Sequence, residues 1–209
     1  MMNLKKTNLA IKRAFDIAVA LLILICFSPV LLVTALIIKL TSRGEVVFKQ
    51  KRLGQNGSVF YLLKFRSMIK GAQQMGSGMF LEENDDRVTP VGKVLRRTGL
   101  DELPQLFNVL KGEMSIVGPR PAPVHHLDKY DGEQKRRLSV KPGITGWAQV
   151  NGRVTLYWPD RIKLDLWYID NFSFKLDLFI LFKTALSPLD RKSSVARADR
   201  KEKDPFMKY

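Results

Sequence analysis

Two adjacent carboxylates, Asp101 and Glu102, are the side chains in this 209-residue sequence that are best suited to chemistry. Arg96 and Arg97 precede Asp101 by five and four residues and bring two guanidinium groups close to it in the chain. Arginine binds phosphate bidentately, and carboxylates bind Mg²⁺ that is shared with substrate phosphates. This set is typical of phosphoryl transfer with a carboxylate nucleophile. The alternative is that both carboxylates cap a helix, since acidic residues favour helix N-termini.

Two further arginines lie in turn-forming segments and are candidate anion ligands. Arg120 stands in the sequence Gly-Pro-Arg-Pro, where the flanking prolines restrict the backbone. Arg153 follows Asn151 and Gly152 in a glycine-rich stretch. An ordinary turn explains either residue equally well, so neither indicates a phosphate site alone.

The composition narrows the kind of chemistry further. The excess of lysine and arginine gives a net charge of +15, which predicts an acidic partner: nucleic acid, a phosphorylated substrate or an anionic membrane. Nucleic acid is disfavoured, because no binding motif matches and the tryptophans are not interleaved with the basic residues. The single cysteine excludes an internal disulfide, and the two adjacent histidines do not form a zinc pattern. Carboxylates remain as the candidates for metal binding and acid–base chemistry.

An uncharged apolar segment runs from Ile17 to Ile38, and its 22 residues reach the length of a membrane span. Ser28 and Pro29 interrupt it, and proline removes a helical hydrogen bond. Basic residues flank both ends, and they favour the cytoplasmic side of a membrane. A re-entrant hairpin broken at Ser28 and Pro29 satisfies both flanks, while a proline-kinked span remains the alternative. A cleaved signal peptide fits less well, because no small-residue cleavage site follows.

Hydrophobic patterns predict the elements that must position the candidate residues. Two β-branched and aromatic stretches surround Gly-Gln-Asn-Gly within residues 44–68, which predicts a basic β-hairpin that carries Lys64 and Arg66. The next predicted elements are a short basic helix over 91–97, a helix from near Asp101 to Gly112, and a strand over 115–117.

The rest of the chain is predicted to mix loops with amphipathic helices. The predicted elements are a polar loop or short helix over 71–86 that ends in solvated Asp85 and Asp86, a solvated helix over 126–139, loop and short strand over 141–153, a helix over 159–170, and an apolar segment over 172–188. Charges interrupt the apolar segment, so it does not span a bilayer. Its aromatic and lysine residues suit a membrane interface, and an ordinary core helix is the alternative.

Four long segments give the sequence a specific resemblance. They are KRAFDIAVALLILICFSPVLL (12–32), VVFKQKRLGQNGSVFYLLKFRSM (46–68), RVTPVGKVLRRTGLDELPQLFNVLKGEMSIVGPRP (87–121) and KPGITGWAQVNGR (141–153). With these segments in this order, the chain resembles the monotopic phosphoglycosyl transferases. These are bacterial sugar transferases that load a sugar 1-phosphate onto a polyprenol phosphate.

The resemblance implies an architecture. We expect an α/β (α+β) fold, in which a small mixed catalytic domain has short strands and interfacial amphipathic helices. The implied divisions are a membrane re-entrant helix over 1–40 broken at Ser28 and Pro29, a cytoplasmic catalytic domain over 41–188, and a polar, disordered tail over 189–209. The protein is expected at the bacterial inner membrane, monotopic, with the catalytic domain facing the cytoplasm.

The resemblance also implies roles for the candidate residues. Asp101 is expected to attack the β-phosphorus of a UDP-sugar, to release UMP and to carry a covalent phosphosugar that polyprenol phosphate then accepts. Glu102, together with Asp101, is expected to hold Mg²⁺. Arg96 is expected at the phosphate. Substrate-binding roles are expected for Arg96, Arg120, Arg153, Lys64 and Arg66.

The expected partners are a UDP-sugar, a polyprenol phosphate and the phospholipid bilayer, with no nucleic acid; a homodimer is left open. Two hypotheses compete with the enzyme. One is a membrane-anchored scaffold that uses the same fold without catalysis, which has no need of the complete Asp-Glu-Arg set. The other is a basic nucleic-acid-binding protein with an apolar anchor, which predicts steeply salt-dependent DNA binding.

Overall fold

The chain begins with two helices that are bent against each other. The computed structural model describes residues 6–75, 85–152, 156–186 and 206. Helix α1 spans Lys6–Cys26, helix α2 spans Ser28–Thr41, and the bend between them is 63°. Pro29 lies in the first turn of α2, where its missing N–H costs nothing, and the Ser28 hydroxyl donates to the Ile25 carbonyl over 2.9 Å. The break predicted at Ser28 and Pro29 is confirmed.

Among the described residues, neither helix alone is both long and apolar enough to cross a membrane. Taken together, the bent pair has the length and the apolar composition that a broken span or a re-entrant loop requires.

A β-hairpin follows the bent pair, as the sequence predicts. Strand β1 (Val47–Leu53) pairs antiparallel with strand β2 (Val59–Phe65), and the register joins Val47 to Phe65. The turn between them contains a short 3₁₀ segment, Gln55–Gly57. Asn56 takes a φ of 56° there, a left-handed conformation that asparagine tolerates better than most residues.

The segment that contains Asp101 differs from its prediction. Helix α3 (Pro90–Thr98) is capped by the Thr89 hydroxyl and ends at Gly99, after which Leu100–Glu102 forms a 3₁₀ turn. Helix α4 (Gln105–Lys111) begins only after Pro104 and ends at Gly112. The prediction of a helix that starts near Asp101 is therefore wrong. Pro104 has no N–H to donate to the Leu100 carbonyl, so the chain turns tightly before α4 begins.

A second small sheet is parallel. Strand β3 (Ser115–Val117) pairs with strand β4 (Gly143–Thr145). Between them lie two 3₁₀ segments, Val124–Lys129 and Gln134–Leu138, in place of the solvated helix predicted over 126–139. That prediction is wrong because His126 and Arg137 are buried and bind the segment to the domain instead of leaving it in solvent.

Three helices complete the described fold. Helix α5 (Trp147–Val150) is a single turn, helix α6 spans Trp158–Asp170, and helix α7 spans Phe174–Leu186. The last two confirm the helix predicted over 159–170 and locate a helix in the segment 172–188. Within the predicted disordered tail, Phe206 departs from the prediction, because its side chain is buried.

Polar side chains, as well as the apolar core, hold helix α1 against the rest of the described fold. The Asp16 carboxylate accepts a hydrogen bond from the Ile116 backbone N–H over 3.0 Å. Arg13 donates to the Val109 and Leu110 carbonyls at the end of α4 over 2.6 and 2.9 Å. A cation there also opposes the negative end of the helix dipole. The fold thus belongs to the predicted mixed class of helices and short strands, with α1 packed on its core.

Candidate active site

Three separate elements bring charged side chains together. Strand β2 carries Lys64, the 3₁₀ turn after α3 carries Asp101 and Glu102, and the turn after β3 carries Arg120. The buried Asn108 of α4 bonds to the open edge of β2, because its amide accepts from the Leu63 N–H and donates to the Tyr61 carbonyl. This contact holds the strand of Lys64 against the segment that follows the two carboxylates.

Glu102 is the centre of the ion-pair network. Its Oε1 atom lies 2.7 Å from Lys64 Nζ and 2.7 Å from Arg120 Nη2, while its Oε2 atom lies 3.5 Å from Arg120 Nη1. Although burial acts in the opposite direction, Arg120 and Lys64 hold the pKa of Glu102 well below its usual range. Glu102 is therefore ionised at neutral pH and fixes both cations in place.

The pKa values of Lys64 and Arg120 are shifted in opposite directions at this site. Burial lowers the pKa of Lys64, although Glu102 works against the shift. The neighbouring Glu102 raises the pKa of Arg120, although partial burial of the side chain acts in the opposite direction. Arg120 thus stays charged, and it keeps 38% of its side chain exposed, so it can still meet an incoming anion.

Asp101 differs from its neighbour, because it has no direct ion pair with any residue that the structure describes. Its side chain is buried, and within the described part of the chain its carboxylate makes no hydrogen bond. Burial raises the pKa of Asp101, while Lys64, Arg96 and Arg120 each oppose that shift. A buried carboxylate surrounded by cations, with no fixed partner on its oxygens, is suited to attack an electrophile.

Arg96 extends the positive surroundings of Asp101 from α3. Its Nε atom donates to the Ser67 hydroxyl over 2.7 Å, which orients the guanidinium. Burial lowers the pKa of Arg96, and Asp101 acts against that shift. Arg97, the other arginine upstream, is exposed. Of the two, Arg96 therefore belongs to the carboxylate site.

Two predicted substrate ligands are not among these contacts. Arg66 points its guanidinium at the connection between α2 and β1, where it donates to the Glu45 and Ser42 carbonyls and to the Ser42 hydroxyl. The structure does not bring it to Glu102, because those acceptors occupy its Nη atoms. Arg153 lies outside the described residues. Asp85, predicted to be solvated, is instead buried and pairs with Arg87 over 2.6 Å.

The two carboxylates fit the ligand preference of Mg²⁺. No group of three or more metal-ligating side chains occurs among the residues that the structure describes. Mg²⁺ does not need one, since it is commonly held by one or two carboxylates together with substrate phosphates and water. The unpaired oxygens of Asp101 and the loosely paired Oε2 of Glu102 are donors of that kind.

Tight backbone contacts hold the turn that carries Arg120. The Gly118 N–H donates to the Thr145 carbonyl, and the Gly143 N–H donates to the Pro119 carbonyl, both over 2.9 Å. A side chain on Gly143 would place its Cβ 2.1 Å from the Gly118 nitrogen. Only glycine permits this approach, so β4 fixes the start of the Gly-Pro-Arg-Pro turn.

Sequence reasoning missed a buried group behind this turn. Arg137 pairs with Asp165 over 2.6 Å, bonds to the Tyr130 hydroxyl and donates to the Arg120 carbonyl. Its surroundings in sequence are polar and charged, which predicts exposure. The adjacent Arg136 and Arg137 are indistinguishable by that criterion, so no local signal could have selected the buried one.

Comparison with known proteins identifies the family of the chain. The model of the family described as bacterial sugar transferase matches residues 7–191. An uncharacterized sugar transferase, EpsL of Bacillus subtilis, is 46% identical over 83% of this chain and 85% of its own length. The UDP-N-acetylgalactosamine-undecaprenyl-phosphate N-acetylgalactosaminephosphotransferase of Aeromonas hydrophila is 48% identical over 83% of this chain. The UDP-glucose:undecaprenyl-phosphate glucose-1-phosphate transferase of Klebsiella pneumoniae is 47% identical over 90% of this chain.

The chain belongs to the bacterial sugar transferase family and is a transferase. The matched region spans 42% of the length of the Aeromonas and Klebsiella relatives, but 85% of the length of EpsL.

Proposed function

We propose that the protein transfers a sugar 1-phosphate from a UDP-sugar to undecaprenyl phosphate, a polyprenol phosphate, with release of UMP. The names of the Aeromonas and Klebsiella relatives describe transfer of a sugar phosphate from a UDP-sugar to undecaprenyl phosphate. The observation that carries the proposal is the contrast between two neighbouring carboxylates: Glu102 is locked between Lys64 and Arg120, while Asp101 is buried without a partner among the described residues.

In the proposed first step, Asp101 is the nucleophile. One of its carboxylate oxygens forms a bond to the β-phosphorus of the UDP-sugar, and the bond from that phosphorus to the bridging oxygen breaks. The electron pair leaves with UMP, and the sugar phosphate stays on Asp101 as an acyl phosphate. Lys64 and Arg120, held by Glu102, stabilise the charge that develops on the phosphoryl and leaving oxygens.

In the proposed second step, an oxygen of undecaprenyl phosphate attacks the same phosphorus. The bond to Asp101 breaks, which restores the free carboxylate and yields an undecaprenyl diphosphate sugar. The acceptor is a phosphate monoester that is largely ionised near neutral pH, so neither step requires a histidine as general base.

Mg²⁺ is the proposed cofactor, with Asp101 and Glu102 as its protein ligands. When bound, it would supply positive charge to the phosphate oxygens. The protein's own contribution is to keep Glu102 ionised and to orient Arg96 through Ser67, so that cations surround the reacting phosphate.

The bent pair α1 and α2 is the proposed membrane anchor. Arg13 and Asp16 bind the first part of α1 to the domain, so only its stretch after Asp16, about 15 Å long at 1.5 Å per residue, would enter the membrane with the roughly 21 Å of α2. Both lengths are below the roughly 30 Å of a hydrocarbon core, and the helices are bent by 63° at the break. A re-entrant hairpin of this kind would keep the catalytic domain at the cytoplasmic face of the inner membrane, where the phosphate of a polyprenol acceptor lies. Both helices expose large apolar side chains on the protein surface, among them Leu22, Ile25, Leu32 and Leu40.

The experiment is UMP release from a panel of UDP-sugars with Mg²⁺ and undecaprenyl phosphate, by the wild type and by Asp101→Asn. The asparagine is nearly isosteric but is a poor nucleophile, so release should fall by about a thousandfold or more. Asp160→Asn is the matched control, because the Asp160 side chain in the first turn of α6 is half-exposed, and it should retain wild-type turnover.

Two outcomes would contradict the proposal. Turnover by Asp101→Asn close to that of the wild type would refute the nucleophile assignment. Binding of the membrane without UMP release from any UDP-sugar would favour the scaffold hypothesis instead.

A further inference from the structure

Arg137, behind the active-site turn, is a buried charged residue that the proposed mechanism does not use. Only 2% of Arg137 is exposed, and it is paired with the equally buried Asp165. Burying two charges costs several kcal/mol, so such a pair contributes little net stability compared with apolar side chains. A role in stability alone therefore explains the pair poorly.

Arg137 is connected to the active site through one backbone atom. Its Nη2 atom donates to the Arg120 carbonyl over 3.1 Å, and Arg120 in turn binds Glu102 through its side chain. Arg137 thus fixes the peptide from which the active-site guanidinium projects. The flanking contacts, from Gly143 to Pro119 and from Leu53 to Ala122, hold the turn on either side.

Aromatic rings hold Arg137 from the other side. Its guanidinium lies 5.6 Å from the Tyr130 ring centroid and 5.3 Å from that of Trp158. Phe206 completes this aromatic cluster, because its ring centroid lies 5.5 Å from that of Tyr130 and 5.1 Å from that of His126. The Phe206 carbonyl also accepts a hydrogen bond from Lys129 over 3.4 Å.

We propose that Arg137 is a positioning residue for Arg120, and that Phe206 holds Arg137 in place by filling the aromatic pocket of His126, Tyr130 and Trp158. Phe206 then acts on the active site through three successive contacts: Phe206 on Tyr130, Tyr130 on Arg137, and Arg137 on the Arg120 carbonyl. This inference rests on the proposed function, in which Arg120 binds the diphosphate of the UDP-sugar.

The first test compares Arg137→Lys with Arg136→Lys. A lysine at 137 can keep its pairing with Asp165, but its single ammonium group cannot reproduce the planar fork that also reaches Tyr130 and the Arg120 carbonyl. We expect KM for the UDP-sugar to rise about tenfold, and kcat to fall as well, because Arg120 also meets the charge that develops in the transition state. The neighbouring Arg136 is exposed and pairs with Glu133 and Asp170, so its lysine variant should leave both constants within about twofold.

A purely structural role predicts a different result. Misfolding lowers the active fraction, and therefore kcat, while KM for the remaining enzyme stays at the wild-type value. The combined variant Arg137→Met with Asp165→Leu removes both buried charges, which avoids an unpaired one. It should raise KM as Arg137→Lys does. An unchanged KM in both variants would overturn the inference.

Substitution and rescue at Phe206 test whether its packing in the aromatic pocket affects substrate binding. Phe206→Ala empties part of the aromatic pocket and should raise KM for the UDP-sugar by about threefold or more, whereas Phe206→Leu, which refills much of it, should restore most of the loss. If Phe206→Ala leaves KM unchanged, Phe206 has no part in positioning Arg120.

Amide hydrogen exchange tests the positioning without any turnover. The Leu53 and Gly143 N–H groups donate to the Ala122 and Pro119 carbonyls, so they report opening of the turn that carries Arg120. Exchange at both amides should be about tenfold faster in Arg137→Lys than in Arg136→Lys. Equal exchange would overturn the inference. Failure of the wild type to release UMP would overturn the proposed function while leaving this readout intact.

Discussion

Replacing Asn108 with leucine should lower the free energy of unfolding by about 3–5 kcal/mol. The Asn108 side chain is fully buried and makes three hydrogen bonds: with the Leu63 N–H over 3.0 Å, the Tyr61 carbonyl over 2.8 Å and Glu113 over 2.7 Å. Leucine is similar in volume, so the loss reports hydrogen bonding more than a cavity. The Leu63 N–H and the Tyr61 carbonyl would lose their partner at the open edge of β2.

The magnitude follows from those orphaned groups. Each buried donor or acceptor left unsatisfied costs about 1–3 kcal/mol. Loss of the hydrogen bond to Glu113 adds less, because that carboxylate can rotate into solvent and bind water there. A domain of this size has only about 5–15 kcal/mol to lose, so the variant should be plainly destabilised. The consequence reaches the active site, because β2 carries Lys64.

Urea denaturation of the detergent-solubilised protein, followed by tryptophan fluorescence, measures the change. Asn171→Leu is the matched control, because Asn171 is exposed at the end of α6 and bonds only to the Trp167 carbonyl among the described residues. It should cost less than about 1 kcal/mol. A similarly small loss for Asn108→Leu would refute the conclusion that its amide is what holds β2 to α4.

Two further predictions concern the active site. Gly143→Ala should displace the Gly118 backbone, since its Cβ would lie 2.1 Å from the Gly118 nitrogen, and should lower both the melting temperature and UMP release. Gly132→Ala, which meets nothing within 4 Å, should lower neither. Burial raises the pKa of Asp101, so in the Mg²⁺-free protein its carboxyl should titrate above the range of an ordinary aspartate, which carboxyl ¹³C NMR measures, and Mg²⁺ should lower that pKa. In Mg²⁺-free Lys64→Met, loss of the cation that opposes the shift should raise the pKa of Asp101 still further; an unmoved titration would contradict the placement of Lys64 beside Asp101.

The sequence predicts those parts of the fold that local chemistry determines. Alternating apolar and polar residues around a turn signal predict the β1–β2 hairpin, and the Ser-Pro step predicts the break between α1 and α2. The start of α4 differs from the prediction, because apolar residues at helical spacing extend back past Pro104 to Leu103. The missing proline N–H, an equally local signal, would have corrected it.

Burial of charged residues could not be predicted in the same way. Arg136 and Arg137 are adjacent, yet only Arg137 meets Asp165, which lies 28 residues further along the chain. Lys64 and Arg66 give a second example, because the sequence predicts substrate binding for both. Only the fold shows that Lys64 pairs with Glu102, whereas Arg66 binds the connection between α2 and β1. Pairing over long sequence separations depends on the packing of the whole domain.

The central claim is that Asp101 forms a covalent bond to the sugar phosphate, and trapping of that intermediate tests it most directly. The protein would be incubated with a UDP-sugar radiolabelled in its β-phosphate, with Mg²⁺ and without acceptor, and the label on the protein located by peptide mapping. We predict label on Asp101 in proportion to the UMP released, its loss upon addition of undecaprenyl phosphate, and none in Asp101→Asn. UMP release that occurs only with acceptor present, with no label on the protein at any time, would contradict the claim.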